Sequence, residues 1–214
     1  MKKASKIIAI FIFAMSVFVG VGAVEVFAGT TSQTNTVNEP IKFIAKQKGK
    51  KVLFNPAPAC LIDEELMKAI DILVVNELEA AFISGIDYTD NNLEEIAKTL
   101  LKAGTSNVVI TLGSQGVYMK NRKETIQLPG CKVNAIDTIA AGDTFCGALA
   151  VFCAQREIDR EALSFANTAA AIAVTRSGAQ PSIPTLDEVK HFILENESTL
   201  LNLMNHEKLP ETPF

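Results

Sequence analysis

From residue 51 onward, hydrophobic positions follow two alternating rhythms. Lys51 to Phe54, Ile72 to Val75 and Val108 to Thr111 are short apolar, largely β-branched runs of the kind that fill strands buried on both faces. Between the last two, Leu93, Ile96, Ala97, Leu100 and Leu101 recur at helical spacing, and Gly104 closes the helix they predict. Asp63 to Ile70 reads as another helix. Strands separated by amphipathic helices need crossover connections, so the pattern predicts βαβ units on a parallel sheet. From Gly116 to Leu128 the rhythm changes to two short strands around Asn121-Arg122-Lys123, a hairpin. Three helices follow. The first carries the stripe Phe145, Ala148, Leu149, Phe152 and Cys153, and the second runs from about Asp159 into Ala169 to Val174. The third opens on Thr185-Leu186-Asp187-Glu188, a capping-box spacing. Beyond Asn202 the tail is expected to fray, since Pro210 and Pro213 cannot continue a helix.

The start of the chain is of another kind. Lys2, Lys3 and Lys6 precede an uncharged apolar run from Ile7 to Val24, and Val26-Phe27-Ala28 offers small side chains where a signal peptidase reads. Residues 1–28 therefore read as a signal peptide or an uncleaved membrane anchor, with membrane association through residues 7–24. Residues 29–40 are a polar linker, 41–200 the folded domain and 201–214 the tail. A net charge of −4 gives no basic footprint, which argues against a nucleic-acid partner. Cys60, Cys131, Cys146 and Cys153 contain no C-x-x-C pair, and with two histidines in the chain a zinc site is not indicated. Cys146 and Cys153 lie two turns apart on one helix, too far to bridge. All four thiols read as small packed hydrophobes, which favours a reducing compartment and stands against the leader.

The segment Asp137-Thr138-Ile139-Ala140-Ala141-Gly142-Asp143-Thr144-Phe145 carries the chemistry. Small residues and a glycine just before a helix let a phosphate approach free backbone N–H groups, where the helix dipole also favours negative charge. Asp143 then stands beside that phosphate, where a carboxylate can accept a proton from an attacking hydroxyl. On spacing alone, Gly142-Asp143 also reads as an ordinary helix cap.

The run DTIAAGDTF resembles the signature of the ribokinase (PfkB-type) family of carbohydrate kinases, and Ile41 to Ile193 is similar to the C-terminal half of that family. The resemblance extends over Asn55-Pro56-Ala57-Pro58-Ala59, Asn76-Glu77-Leu78-Glu79, Thr111 to Gly116 and Phe165 to Ser182. It implies a three-layer α/β/α ribokinase-like fold, here without the N-terminal half that supplies the sugar-binding motif and the lid through which the family dimerises. It implies ATP-dependent phosphorylation of a sugar hydroxyl. D-ribose, giving D-ribose 5-phosphate, is favoured because DTIAAGDTF and AAAIAVTRSGAQPS look most like ribokinases. Asp143 would be the catalytic base and the backbone of Ala140, Ala141, Gly142 and Asp143 the anion hole.

By the same resemblance, Asn76 and Glu79 match the family's N-x-x-E motif, which organises Mg2+ and the ATP phosphates; Glu79 acts on magnesium directly or through water. Read without the family, they are a helix cap and a solvated helix residue. Thr111, Leu112, Gly113, Ser114, Gln115 and Gly116 would line the nucleotide site, with Asn167 on the helix closing the adenine side. Asp137, Ile139, Ala173, Arg176, Gly178 and Ser182 would hold an activating K+, through the Asp137 carboxylate, the Ser182 hydroxyl and main-chain carbonyls. Cys146 stands where ribokinases commonly have asparagine. Two further readings remain: a non-catalytic nucleotide-binding protein at a membrane, and a degenerate kinase fragment. Kinase motifs imply the cytoplasm, whereas the leader implies anchoring or export.

Overall fold

The computed structural model describes residues 7–11, 25–28, 49–154 and 156–206, with side chains over 49–154 and 156–196. The described strands are β1 (Ile7–Phe11), β2 (Glu25–Ala28), β3 (Lys51–Asn55), β4 (Ile72–Asn76), β5 (Asn107–Thr111), β6 (Val117–Asn121) and β7 (Thr125–Leu128). They form one sheet in the order β2-β1-β3-β4-β5-β6-β7. Every pairing from β2 to β5 is parallel, and β5-β6-β7 is an antiparallel meander. The helices are α1 (Glu64–Ala69), α2 (Glu77–Ser84), α3 (Leu93–Ala103), α4 (Ala141–Cys153), α5 (Arg160–Ala173) and α6 (Leu186–His206).

Strand periodicity sorts the core into two layers. Val52, Phe54, Leu73, Val75, Val108 and Ile110 face one side, against Leu66 of α1 and Ile96 and Leu100 of α3. Leu53, Val74, Val109 and Met119 face the other, against Phe145 and Leu149 of α4 and Leu163 of α5. Central strands are thus covered on both faces, which is why their sequences run apolar without alternation. The result is the expected three-layer α/β/α architecture. The hairpin also falls where expected, and Asn121 shapes its turn by accepting the N–H groups of Lys123 and Glu124, both at 2.8 Å.

Two pieces of the stretch expected as a leader are strands here. β1 lies between β2 and β3, with Ala9 opposite both Val26 and Leu53. The physical reason is that an uncharged run rich in Ile, Val and Phe has the composition of a buried parallel strand as well as that of a membrane segment. The rest of that stretch and the linker 29–40 lie outside the described residues. Among the described residues, no helix is long and apolar enough to cross a membrane. At the other end, α6 continues past Asn202 to His206, because the prolines that forbid a helix come later. The four cysteines are unbridged; Cys146 and Cys153 are buried as expected, whereas Cys60 and Cys131 are partly exposed.

Candidate active site

β4 and β5 are parallel neighbours, and their last residues, Asn76 and Thr111, stand directly opposite each other. The two segments that follow therefore leave the sheet side by side at the carboxyl ends of its strands, where open α/β sheets bind ligands. Asn76 starts α2. Its Oδ1 accepts the Glu79 N–H at 2.8 Å, and Glu79 Oε2 accepts the Asn76 N–H at 2.9 Å. This capping box satisfies two otherwise orphaned donors. It does not leave Glu79 a solvated helix residue: the residue is 9% exposed. Burial pushes its carboxyl above the ordinary range, partly offset by the Asn76 N–H, with Glu77 adding to the rise.

The head of α4 has an unusual backbone. Ala140 sits at φ 63° and ψ 5°, alone among the described non-glycine residues in the left-handed region. That conformation costs a residue with a Cβ about 1–2 kcal/mol. No side chain caps the helix. Thr144 N–H donates to Ala140 O at 2.8 Å and Ala141 N–H to Thr138 O at 3.3 Å, while the N–H groups of Ala140, Gly142 and Asp143 find no acceptor among the described residues. Among the described residues nothing stands within 4 Å of where a Gly142 Cβ would be, so there is room beside its N–H. Asp143 is half-buried, and burial raises its carboxyl above the ordinary value. Beside it the buried Thr144 hydroxyl has no hydrogen-bond partner among the described residues.

Cys146 lies one turn after Asp143 on α4. Burial pushes its thiol far up, and the charges of Asp143 and then Glu79 add to the rise. Two carboxylates thus bear on one buried thiol, and neither forms an ion pair with a basic side chain among the described residues. Among the described residues no three histidine, cysteine, aspartate or glutamate side chains gather as a metal cluster, and Glu79 alone offers oxygens of the kind a hard divalent cation takes through its waters.

Asp137 ties the turn before α4 to the loop after α5. Its Oδ1 accepts the Ile139 N–H at 2.9 Å and its Oδ2 the Gly178 N–H at 3.0 Å. These two donors, Gly178 first, hold its carboxyl below the ordinary range. Val174 O accepts from the N–H groups of Ile136 and Asp137 at 2.7 and 3.1 Å, which fastens the same two segments together. Ser182 is fully buried and donates its hydroxyl to Ala179 O at 2.7 Å, leaving its own oxygen as a donor of electron pairs. Ala173 O accepts the Arg176 N–H at 3.1 Å. Uncharged oxygens, one ionised carboxylate and the carbonyl end of α5 are the types of donor a large monovalent cation takes.

The segment after β5 is a tight 3-10 turn, Gly113–Gln115. Its expected residues divide. Ser114 and Gln115 are exposed, but Leu112 is 3% exposed, packs in the core, and has its N–H and carbonyl bonded to Gly116 and Gln115. Gly116 stands at φ 102°, and a Cβ there would lie 2.1 Å from Leu128 O. A Cβ on Gly130 would lie 2.1 Å from Ser114 O. The two loops touch backbone to backbone. Between them opens a groove of about 530 Å³ lined by Ser114, Gly130, Cys131, Lys132, Val133 and Asn134. Asn167 on α5 supports it by donating from Nδ2 to Pro129 O at 3.0 Å, and Thr168 contacts Cys131 Sγ at 3.8 Å. Residues 130–134 were not foreseen from the motifs; the signal available was the Pro129-Gly130 turn after a strand.

A mixed sheet covered by helices on both faces, an uncapped helix start at α4 with a carboxylate in its first turn, and a groove beside the segment after β5 define a three-layer α/β protein. The chain belongs to the pfkB family of carbohydrate kinases, whose model matches residues 19–186. It is 41% identical over 151 residues to a ribokinase of Haemophilus influenzae, covering 70% of this chain and 49% of that one. It is 33% identical over 167 residues to a deoxyribokinase of Salmonella typhi, covering 77% and 54%. Among solved structures, Arabidopsis thaliana ribokinase complexed with ribose and ATP is similar at a TM-score of 0.68 and 30% identity, covering 72% of this chain and 51% of that one. The chain spans about half the length of the curated relatives it matches.

Proposed function

We propose that this chain carries the nucleotide and catalytic part of an ATP-dependent sugar kinase, with D-ribose as the favoured acceptor and D-ribose 5-phosphate as the product. The observation that carries the reading is the head of α4, where free N–H groups stand beside a half-buried carboxylate with no cationic partner. Ribose rests on the likeness to ribokinases, and the similarity to a deoxyribokinase keeps 2-deoxyribose as the competing acceptor.

In this reading the amides of Gly142 and Asp143, with that of Ala140, hold the terminal phosphate and stabilise the charge spread over its oxygens during transfer. Asp143 accepts the proton of the sugar hydroxyl as that oxygen bonds to the γ-phosphorus and the bond from phosphorus to the ADP oxygen breaks. The proton then leaves Asp143 to solvent. A raised pKa suits the residue to that task, since a base too weakly attached to protons would not take one. The groove between Ser114 and Asn134 receives the base of the nucleotide, with Asn167 fixing its far wall. Glu79, directly or through water, would hold Mg2+, which neutralises phosphate charge. Asp137, Ser182 and the carbonyls of Ile139, Ala173, Arg176 and Gly178 would hold K+, which adds positive field behind the anion site.

The test is a coupled assay of the full chain with ATP, Mg2+, K+ and either ribose or 2-deoxyribose. Sugar phosphate formation that falls about 10²–10⁴-fold in Asp143→Asn is the expected result. Absence of sugar phosphate from both acceptors, with calorimetric ATP binding retained, would reduce the reading to nucleotide binding alone. Loss of ATP binding as well would end it.

A further inference from the structure

The loop from Thr175 to Ser182 is fastened by charged side chains on two sides, and one of these fastenings lies outside the expected cation ligands. Arg176 places its guanidinium on Glu188, with Nη2 2.6 Å from Oε1 and Nη1 3.5 Å from Oε2. Glu188 is itself immobilised, since its Oε2 accepts the Thr185 N–H at 2.7 Å and the Thr185 hydroxyl at 3.0 Å. A planar guanidinium gripped by both carboxylate oxygens has little rotational freedom. The peptide of Arg176 is bound at its other end, where its N–H donates to Ala173 O. Across the loop, Asp137 takes the Gly178 N–H. The carbonyls between these anchors therefore have their directions set by contacts at both ends.

We propose that Glu188 is a positioning residue for a monovalent cation: through Arg176 and the start of α6 it sets the direction of the loop carbonyls that receive the ion. The proposal rests on the reading that this loop takes potassium. An ion pair that merely staples α6 to the loop would support stability without touching cation affinity, and the two roles separate in one measurement.

The full chain is melted across a KCl titration, with choline chloride holding ionic strength constant. In the parent, Tm rises with potassium to a plateau. In Glu188→Gln and Arg176→Lys, with native circular dichroism, the potassium midpoint moves up roughly tenfold, the effect of one lost charge-assisted hydrogen bond. The exchange Arg176→Glu with Glu188→Arg returns it toward the parent. If Glu188→Gln does not fold, Thr185→Ala, which loosens Glu188 but leaves the ion pair, shows a smaller rise of the same sign. A lower Tm with an unchanged potassium midpoint in these variants overturns the proposal and leaves the cation reading standing. A parent that does not distinguish potassium from choline overturns the cation reading and the proposal together.

Discussion

Half-burying a carboxylate raises its pKa, and at Asp143 no basic partner among the described residues counters the effect. In the reading proposed, only the ionised form accepts a proton, so kcat/KM falls as pH drops through the raised value, and a pH profile of the parent shows this acid limb. For stability the sign is opposite. A folded-state pKa above the unfolded one contributes stability that is present below the ordinary Asp range and is lost as pH rises through the folded value. Asp143→Asn is therefore expected to lose turnover while melting higher at pH 7, by about 2–4 °C for each kcal/mol relieved. Glu188 shows the reverse case. Arg176, followed by the Thr185 donors, holds its carboxyl down to about 2. Its contribution is present above the ordinary Glu range and is lost as pH falls toward 2, so the Tm difference between parent and Glu188→Gln narrows in acid. Ala140 adds a prediction of its own. Because its left-handed backbone suits glycine, Ala140→Gly is expected to raise stability by about 0.5–1 kcal/mol in a urea melt, the strain relieved exceeding the added freedom of the unfolded chain.

At the scale of elements, what could be read from sequence follows physical rules that act locally. Ile72 to Val75 and Leu93 to Leu101 announce strand and helix because burial imposes a period on them. Thr185 and Glu188 announce a helix start because a capping box needs that spacing. The head of α4 announces an uncovered helix start because Gly142 and its small neighbours leave room beside it. The groove did not announce itself, because contact between the backbones of Gly116 and Gly130 is a long-range fit with no local period. Ala140 gave no sign either, since alanine has no preference for the conformation it adopts. The apolar run at the chain's start satisfies two environments equally, and hydropathy does not choose between them. The glycine contacts predict a contrast. Gly130→Ala drives a Cβ into Ser114 O and Gly116→Ala one into Leu128 O, whereas Gly113→Ala, at φ 54°, meets nothing within 4 Å among the described residues. Chemical denaturation should show losses of about 1–3 kcal/mol or more at 116 and 130 and about 1 kcal/mol at 113.

For the whole molecule, the sheet acts as a floor on which distant pieces of sequence meet. Asn76, Thr111, Gly130, Asp143 and Asn167 come from five parts of the chain, and in the reading proposed a nucleotide that touches several of them stabilises the folded state as a unit. ATP at a hundredfold above its Kd should add about 2.7 kcal/mol to stability, a Tm rise of roughly 5–10 °C by scanning calorimetry. A melt without nucleotide serves as the control.

The pairing of Asn76 with Thr111 makes the sheet a ruler. Two loops launched from neighbouring strands begin about 4.8 Å apart, a spacing written into main-chain hydrogen bonding and indifferent to whatever the site contains. Exchanging the exposed Ser114 and Gln115 would thus alter which molecules are welcomed while leaving the width of the doorway as it is.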